Sequence, residues 1–265
     1  MNTQAPLHTD GVRHFGPLAP LTWLGDGWRD FWRNPVPGLL HGLVLVLFGV
    51  LLLAVAHDRF WLLAGAYSGF LIVGPIVVTG LYEISRGLAR GERLGVRDAL
   101  RVWSGFDRRL IQFGLLLGFA GSGWVITSAG FITVFAEQPV TKPLDFLRHV
   151  VLAPQAWVFG AWLLLGGLLA APMFASSVIA IPMLMDQPVS VKQAIGRSWA
   201  VCGSHPEAMA VWALLLMVLV GLGMLTAMLG LVVIVPWLAH ASWHAYTDLV
   251  LDGRSSGGAH AATGR

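Results

Sequence analysis

Charge is what this chain most conspicuously lacks. Only 12% of its 265 residues are Asp, Glu, Lys or Arg, about half of what a soluble domain carries. So few charged groups cannot coat a globule of this size in water, and lipid is the alternative solvent. Cysteine is almost absent too: Cys202 stands alone, which excludes an intrachain disulfide scaffold. The net charge is only +3, and the basic residues form no aromatic-laced stripe, so a nucleic-acid partner is not expected. No Walker loop, dinucleotide fingerprint, lipase elbow, HExxH or CxxC motif occurs. The first strongly apolar run begins near Gly38, too far in and too long for a signal peptide, so no cleaved leader is expected.

What is present is long oily sequence. Five stretches contain no Asp, Glu, Lys or Arg: Gly38–Ala56, Phe60–Tyr82, Leu110–Ala136, Trp157–Met185 and Ala208–Thr247. A helix rising about 1.5 Å per residue needs about 20 such residues to cross a bilayer core. The last stretch is twice that, and Gly221, Gly223 and Gly230 near its middle suggest a turn. The fold class is therefore all-α, a polytopic membrane helix bundle of about six transmembrane helices. The spans are expected over 38–56, 60–82, 110–136, 157–185, 208–225 and 229–246. Pro172 and Pro182 predict a kink or tilted exit in the fourth.

Residues 1–20 read as a disordered start and 252–265 as a flexible tail, flanking a membrane domain over 21–251. Within 21–33, Leu21, Leu24, Trp28 and Phe31 recur at helical spacing, with Arg29, Asp30 and Arg33 off the stripe. This predicts a short amphipathic helix lying in the interface, ended by Pro35 and Pro37. Small residues four apart (Gly65 and Gly69; Gly114, Gly118 and Ser122; Gly167, Ala171 and Ala175) suggest places for close helix contact.

Orientation comes from the basic residues. Arg13, Arg29 and Arg33 precede the first span, seven arginines from Arg86 to Arg109 follow the second, Lys192 and Arg197 follow the fourth, and Arg254 and Arg265 lie in the tail. The other side keeps only Arg59, Lys142 and Arg148. The positive-inside rule then puts both termini in the cytoplasm of an inner, plasma-membrane protein. Trp61, Trp157 and Trp162 would mark the outer interface; Trp103, Trp199, Trp237 and Trp243 would mark the inner one. A weak parallel repeat is visible: residues 71–76 lie over 178–183, and residues 94–100 over 189–195.

For chemistry, no expected span carries an ionised side chain, which disfavours a proton-driven pump. Ser122, Thr127, Ser128, Ser176 and Ser177 are read as bonding within the bundle. His240 and His244 share a helix face near the inner end of the last span, and His41 lies at similar depth. These three could hold a haem or a transition metal, against the plainer reading of interfacial histidines bonded to headgroups or carbonyls. No cofactor is otherwise expected, and no catalytic residue is assigned.

Three segments, Gly74–Glu92 (GPIVVTGLYEISRGLARGE), Ile181–Ile195 (IPMLMDQPVSVKQAI) and Pro236–Tyr246 (PWLAHASWHAY), resemble in the same order the recurring segments of bacterial predicted integral membrane proteins of the domain-of-unknown-function 2189 family. The resemblance extends over about Trp23 to Leu251, with Ala239 where the family is expected to prefer Gly. It implies a multi-span membrane protein with no activity to carry over. Pro75, Tyr82, Glu83, Arg86, Pro182, Asp186, His240, His244 and Tyr246 match its recurrent residues and form a candidate functional surface at the inner membrane boundary. Three readings stay open: a non-enzymatic structural, assembly or interaction protein, with the bilayer and other membrane proteins as partners; a transporter or channel for a small neutral solute; and a haem or metal protein. Oligomeric state is not legible.

Overall fold

Inside lipid a backbone must satisfy its own polar groups, and apolar segments of this length do so as helices. The computed structural model describes residues 15–56, 59–66, 77–105 and 107–252. Among them there is no strand. The helices are α1 (Ala19–Arg33), α2 (Pro35–Ala56), α3 (Thr79–Ala89), α4 (Val96–Ser104), α5 (Arg108–Phe135), α6 (Ala156–Ser177), α7 (Ala180–Asp186), α8 (Val191–Ser204), α9 (Pro206–Leu225) and α10 (Leu231–Tyr246). Residues 60–66 are helical as well, and a short turn of helix at Pro143–Phe146 precedes α6.

Four helical segments are long and apolar enough to cross a membrane: Pro35–Val55, Arg108–Phe135, Trp157–Asp186 and Pro206–Leu225. They correspond to the expected first, third, fourth and fifth spans. At most a third of each apolar window is buried inside the protein. Leu47, Phe119, Leu164 and Met217 stand outward and exposed, a surface that only lipid covers at low cost. The chain is thus an all-α membrane bundle. Of the expected second span, residues 67–76, Pro75 included, lie outside the described residues. So do the expected disordered start up to residue 14 and the tail from residue 253.

The expected sixth span is α10, and it is the central post of the molecule. At 16 residues it is about 24 Å long, and Leu231, Leu238, Ala239, His240, Ala241, Trp243, Ala245 and Tyr246 along it are buried. Two glycines let neighbouring backbones reach it. A Cβ on Gly42 would sit 2.2 Å from the Val232 carbonyl oxygen, and one on Gly27 would sit 2.4 Å from the Ala241 nitrogen. Gly38 against Pro236, Gly42 against Val232 and Val46 with Met228 set α2 antiparallel to α10. The small-residue stripes do less: Gly65 faces Val125 at ordinary contact distance and Ala175 is buried, while Gly69 lies outside the described residues. A side chain on Gly118 or Gly167 would meet nothing within 4 Å, because α5 and α6 turn those positions away from their neighbours.

The N-terminal helix departs from expectation in its buried face. α1 does form, but it buries Pro20, Trp23, Leu24, Gly27, Asp30 and Phe31, while Leu21 and Trp28 are exposed. Trp23 packs edge-to-face on Trp212 at 5.8 Å and donates its indole N–H to Asp248 at 2.8 Å. Trp237 donates to the Leu24 carbonyl at 2.8 Å. So α1 is docked on the bundle rather than resting on its surface, and Asp30 faces inward.

Proline explains the break in the fourth span. Pro182 lacks the N–H that would reach back to Val178, and its ring crowds that carbonyl. Helix α6 ends at Ser177, α7 starts at Ala180, and the Ile179 N–H freed between them donates to the buried Ser198 hydroxyl at 3.2 Å. The same order follows α3 and α7 alike: a short buried helix, a loop, then an amphipathic helix. The aligned alanines of the suggested repeat, Ala99 on α4 and Ala194 on α8, are both fully buried. Capping fits the local sequence: Asp107 accepts the Arg109 N–H at the start of α5, and Ser190 with Gln193 forms a capping box on α8.

The two ends of the bundle differ in kind. At one end Phe60, Trp61, Phe146 and Trp162 form an aromatic cap over Ile132, Val140, Val150 and Val158. At the other end α1, α3, α7 and the end of α10 meet in a layer of polar side chains. Trp243, expected near headgroups, is buried there between Tyr82 and Tyr246.

Candidate functional site

A buried carboxylate with three polar neighbours forms the centre of that layer. Asp30 comes from α1, Ser85 from α3, and His240 and His244, one turn apart, from α10. Asp30, Ser85 and His240 are at most 5% exposed. The Ser85 hydroxyl donates to Asp30 Oδ2 at 3.0 Å, and its oxygen lies 2.7 Å from His240 Nδ1. His244 Nε2 lies 2.8 Å from the same Asp30 oxygen. Burial pushes the Asp30 carboxyl up, but the hydrogen bonds from His244 and Ser85 and the nearby imidazoles outweigh it and hold the group below its ordinary value.

These contacts dictate where the protons sit. An ionised carboxylate only accepts, so Ser85 and His244 Nε2–H both donate to Asp30. With its proton committed, the Ser85 oxygen accepts from His240 Nδ1–H. The other nitrogen of His240, Nε2, is left as a lone pair with no hydrogen-bond partner among the described residues. His41 on α2 is also buried, and its Nδ1–H donates to the Pro37 carbonyl at 2.9 Å. Among the described residues no three His, Cys, Asp or Glu side chains are grouped to hold a metal ion.

A second network adjoins the first through α3 and α10. Tyr246 donates to Asp186 Oδ2 at 2.8 Å and accepts from Gln187 Nε2 at 2.7 Å. Arg86 reaches Asp186 at 3.5 Å and Glu83 at 3.3 Å. Arg109 donates to the carbonyls of Gln187 and Val189, fixing the start of α5 against the loop after α7. Its neighbour Asp107 is held below the usual carboxylate range, first by the hydrogen bond from the Arg109 side chain.

Of the residues singled out from sequence, Glu83, Arg86, Asp186 and Tyr246 meet in one network, and His240 and His244 meet in the other. Tyr82 sits apart, hydrogen-bonded to Ser242. Pro182 is buried at the helix break. Pro75 lies outside the described residues. Asp30 and Ser85 were not foreseen, and they join the two histidines.

Residues 62–186 match the sequence model of a family described as predicted integral membrane protein (DUF2189). Over that stretch, just under half of its length, the chain is similar to this family. The match is narrower than the expected reach from Trp23 to Leu251: it contains Ser85, Glu83, Arg86 and Asp186, while Asp30, His240, His244 and Tyr246 lie beyond its ends. No curated protein and no solved structure matches the chain. The family's description gives membrane integration and no activity.

Proposed function

We propose that this chain, similar over residues 62–186 to the DUF2189 family, is a non-enzymatic interaction or assembly protein of the bacterial cytoplasmic membrane, with its termini and its arginine-rich polar layer on the cytoplasmic side. The observation that supports this is the direction of the Ser85 hydrogen bonds. A nucleophilic serine needs a base that takes its proton and a third group that orients that base. Here the serine proton goes to Asp30, and the imidazole of His240 presents an N–H. A carboxyl held below its ordinary value is a poor base at neutral pH. The arrangement ties three helices together, and the Ser85 hydroxyl, the Asp30 carboxylate, His240 Nδ1 and His244 Nε2 satisfy one another.

The test uses the full-length protein. Fluorophosphonate treatment in liposomes is expected to leave Ser85 unlabelled. In cells, a photo-cross-linking residue at Trp32, on the exposed side of α1, is expected to give a discrete adduct with another membrane protein. A labelled Ser85, or the absence of any discrete adduct, overturns the proposal.

Transport of a weakly polar solute draws on one feature, a cavity beside the helix break. Flux through liposomes above the protein-free rate, lost on filling that cavity, would favour it instead.

A further inference from the structure

Where α6 gives way to α7 the interior is not filled. A cavity of about 290 Å³ lies between Tyr82, Val178, Leu216, Val220, Leu238 and Ser242, close to the roughly 300 Å³ at which small-molecule sites begin. Its wall is hydrocarbon with few hydroxyls, and these are engaged. Ser177 donates to the Met173 carbonyl at 2.8 Å, Ser242 donates to the Leu238 carbonyl at 2.7 Å, and Tyr82 hydrogen-bonds Ser242. A polar solute entering would exchange water for a wall with no free hydroxyl proton, which is unfavourable. A hydrocarbon chain entering gains by burial.

The cavity has a direction. At one end are Tyr82 and Ser242, from which α3 runs on to Glu83 and Arg86 and ends before Arg90, and α10 runs on to His244 and Tyr246. At the other end are Val220 and Leu231, toward the turn between α9 and α10. The α9 wall is continuous with the outward-facing Met217 and Val218 of the same helix, so the cavity lies at bilayer depth. A lipid whose chain follows it has its headgroup level with the arginine-rich end. Arg90 is partly exposed there while ion-paired with Glu83 and Glu92, Arg101 pairs with Asp98, and Arg93 and Arg97 lie between them in the chain. Cations at that level attract anionic headgroups.

We propose that the cavity holds one acyl chain of an anionic phospholipid from the leaflet that meets the arginine-rich end. This goes beyond the interaction role above and can fail independently of it.

The test uses full-length protein in liposomes of phosphatidylglycerol and phosphatidylcholine. They are doped in turn with phosphatidylglycerol, phosphatidylcholine or free palmitate bearing a diazirine in the chain. The phosphatidylglycerol probe is expected to cross-link the peptides holding Leu216–Val220 and Leu238–Ser242. In Val220→Trp that labelling should fall about fivefold or more, the loss expected from overpacking an occupied site, while labelling at outward-facing Leu222 and Leu225 stays unchanged. If Val220→Trp does not elute as a single species, Leu216→Phe replaces it, and the wild-type map still decides whether the cavity is occupied. Labelling confined to outward-facing residues overturns the proposal. Equal capture of the phosphatidylcholine probe, or capture of palmitate alone, overturns the assignment to an anionic phospholipid.

Discussion

Asp30 is the buried charged acceptor at the centre of the polar layer, taking hydrogen bonds from Ser85 and His244. Removing its carboxylate in Asp30→Ala leaves the Ser85 hydroxyl and His244 without their acceptor in a buried site, a loss of about 3 kcal/mol. Asp30→Asn keeps an acceptor and is expected to lose less. Thermal unfolding in a mild detergent orders the three proteins. pH supplies a second test. The folded carboxyl titrates below its unfolded value of about 3.9, so its contribution is complete above that value and disappears as pH falls through the lower, folded one. The gap in melting temperature between wild type and Asp30→Asn should therefore be constant near neutrality and close only in acid. A gap that closes between pH 6 and 8 instead would assign the titration to the histidines. The reason Asp30 escaped the sequence reading lies in α1 itself. Tryptophans and leucines occupy two of its faces, and the stripe through Leu21, Leu24, Trp28 and Phe31 fits helical spacing as well as the one through Trp23, Gly27 and Phe31. Periodicity cannot choose between them; only the close approach of Gly27 to Ala241 does. His240 and His244 were legible because two imidazoles four apart necessarily share a face. Ser85 carries no charge and sits between residues that do, so nothing in its spacing distinguished it.

Between helices, close approaches and turns decide the packing. Gly42→Val places a branched side chain against the Val232 backbone of α10, and backbone atoms cannot step aside as a flexible side chain can. A loss of about 3 kcal/mol or more, or failure to accumulate in the membrane, is expected. Gly118→Ala meets open space and should be neutral or gain up to about 1 kcal/mol from helix propensity. If both variants melt alike, the central place given to α10 is wrong. The turn between α9 and α10 stores strain in a different form. Ala227 and Met228 have φ of 51° and 67°, the left-handed region that costs side chains about 1 kcal/mol or more each. Thr226 offsets this by donating to the Gly223 carbonyl and accepting the Gly230 N–H, both at 2.7 Å. Ala227→Gly should therefore raise the melting temperature, by about 1 kcal/mol of stability; a drop would mean that the turn is not strained as built. The sequence pointed to a turn near this place from Gly221, Gly223 and Gly230, yet none of the three takes the left-handed conformation. The length of the apolar run forces a turn, and its chemistry is set locally by Thr226.

Across the whole molecule, the apolar runs and the uneven arginines were the strongest signals in the sequence, because transfer into lipid is costly for charge and selects these patterns directly. The depth of α10 was not legible. A helix that is oily all round looks the same whether lipid or protein surrounds it, and α10 becomes a buried post only because α1 and α2 both close over it. Orientation is open to a direct experiment built on the single native cysteine. On a Cys202→Ser background, Glu92→Cys sits in the loop between α3 and α4 at the arginine-rich end, and Glu137→Cys sits beside the aromatic cap after α5. If the polar layer faces the cytoplasm, a membrane-impermeant maleimide added to intact cells labels Glu137→Cys at once and Glu92→Cys only after permeabilisation. The reverse pattern would turn the molecule over. It would put the Asp30–Ser85–His240–His244 cluster and the cationic rim of the cavity on the far side of the membrane, and the interaction surface proposed for α1 would have to find its partner there.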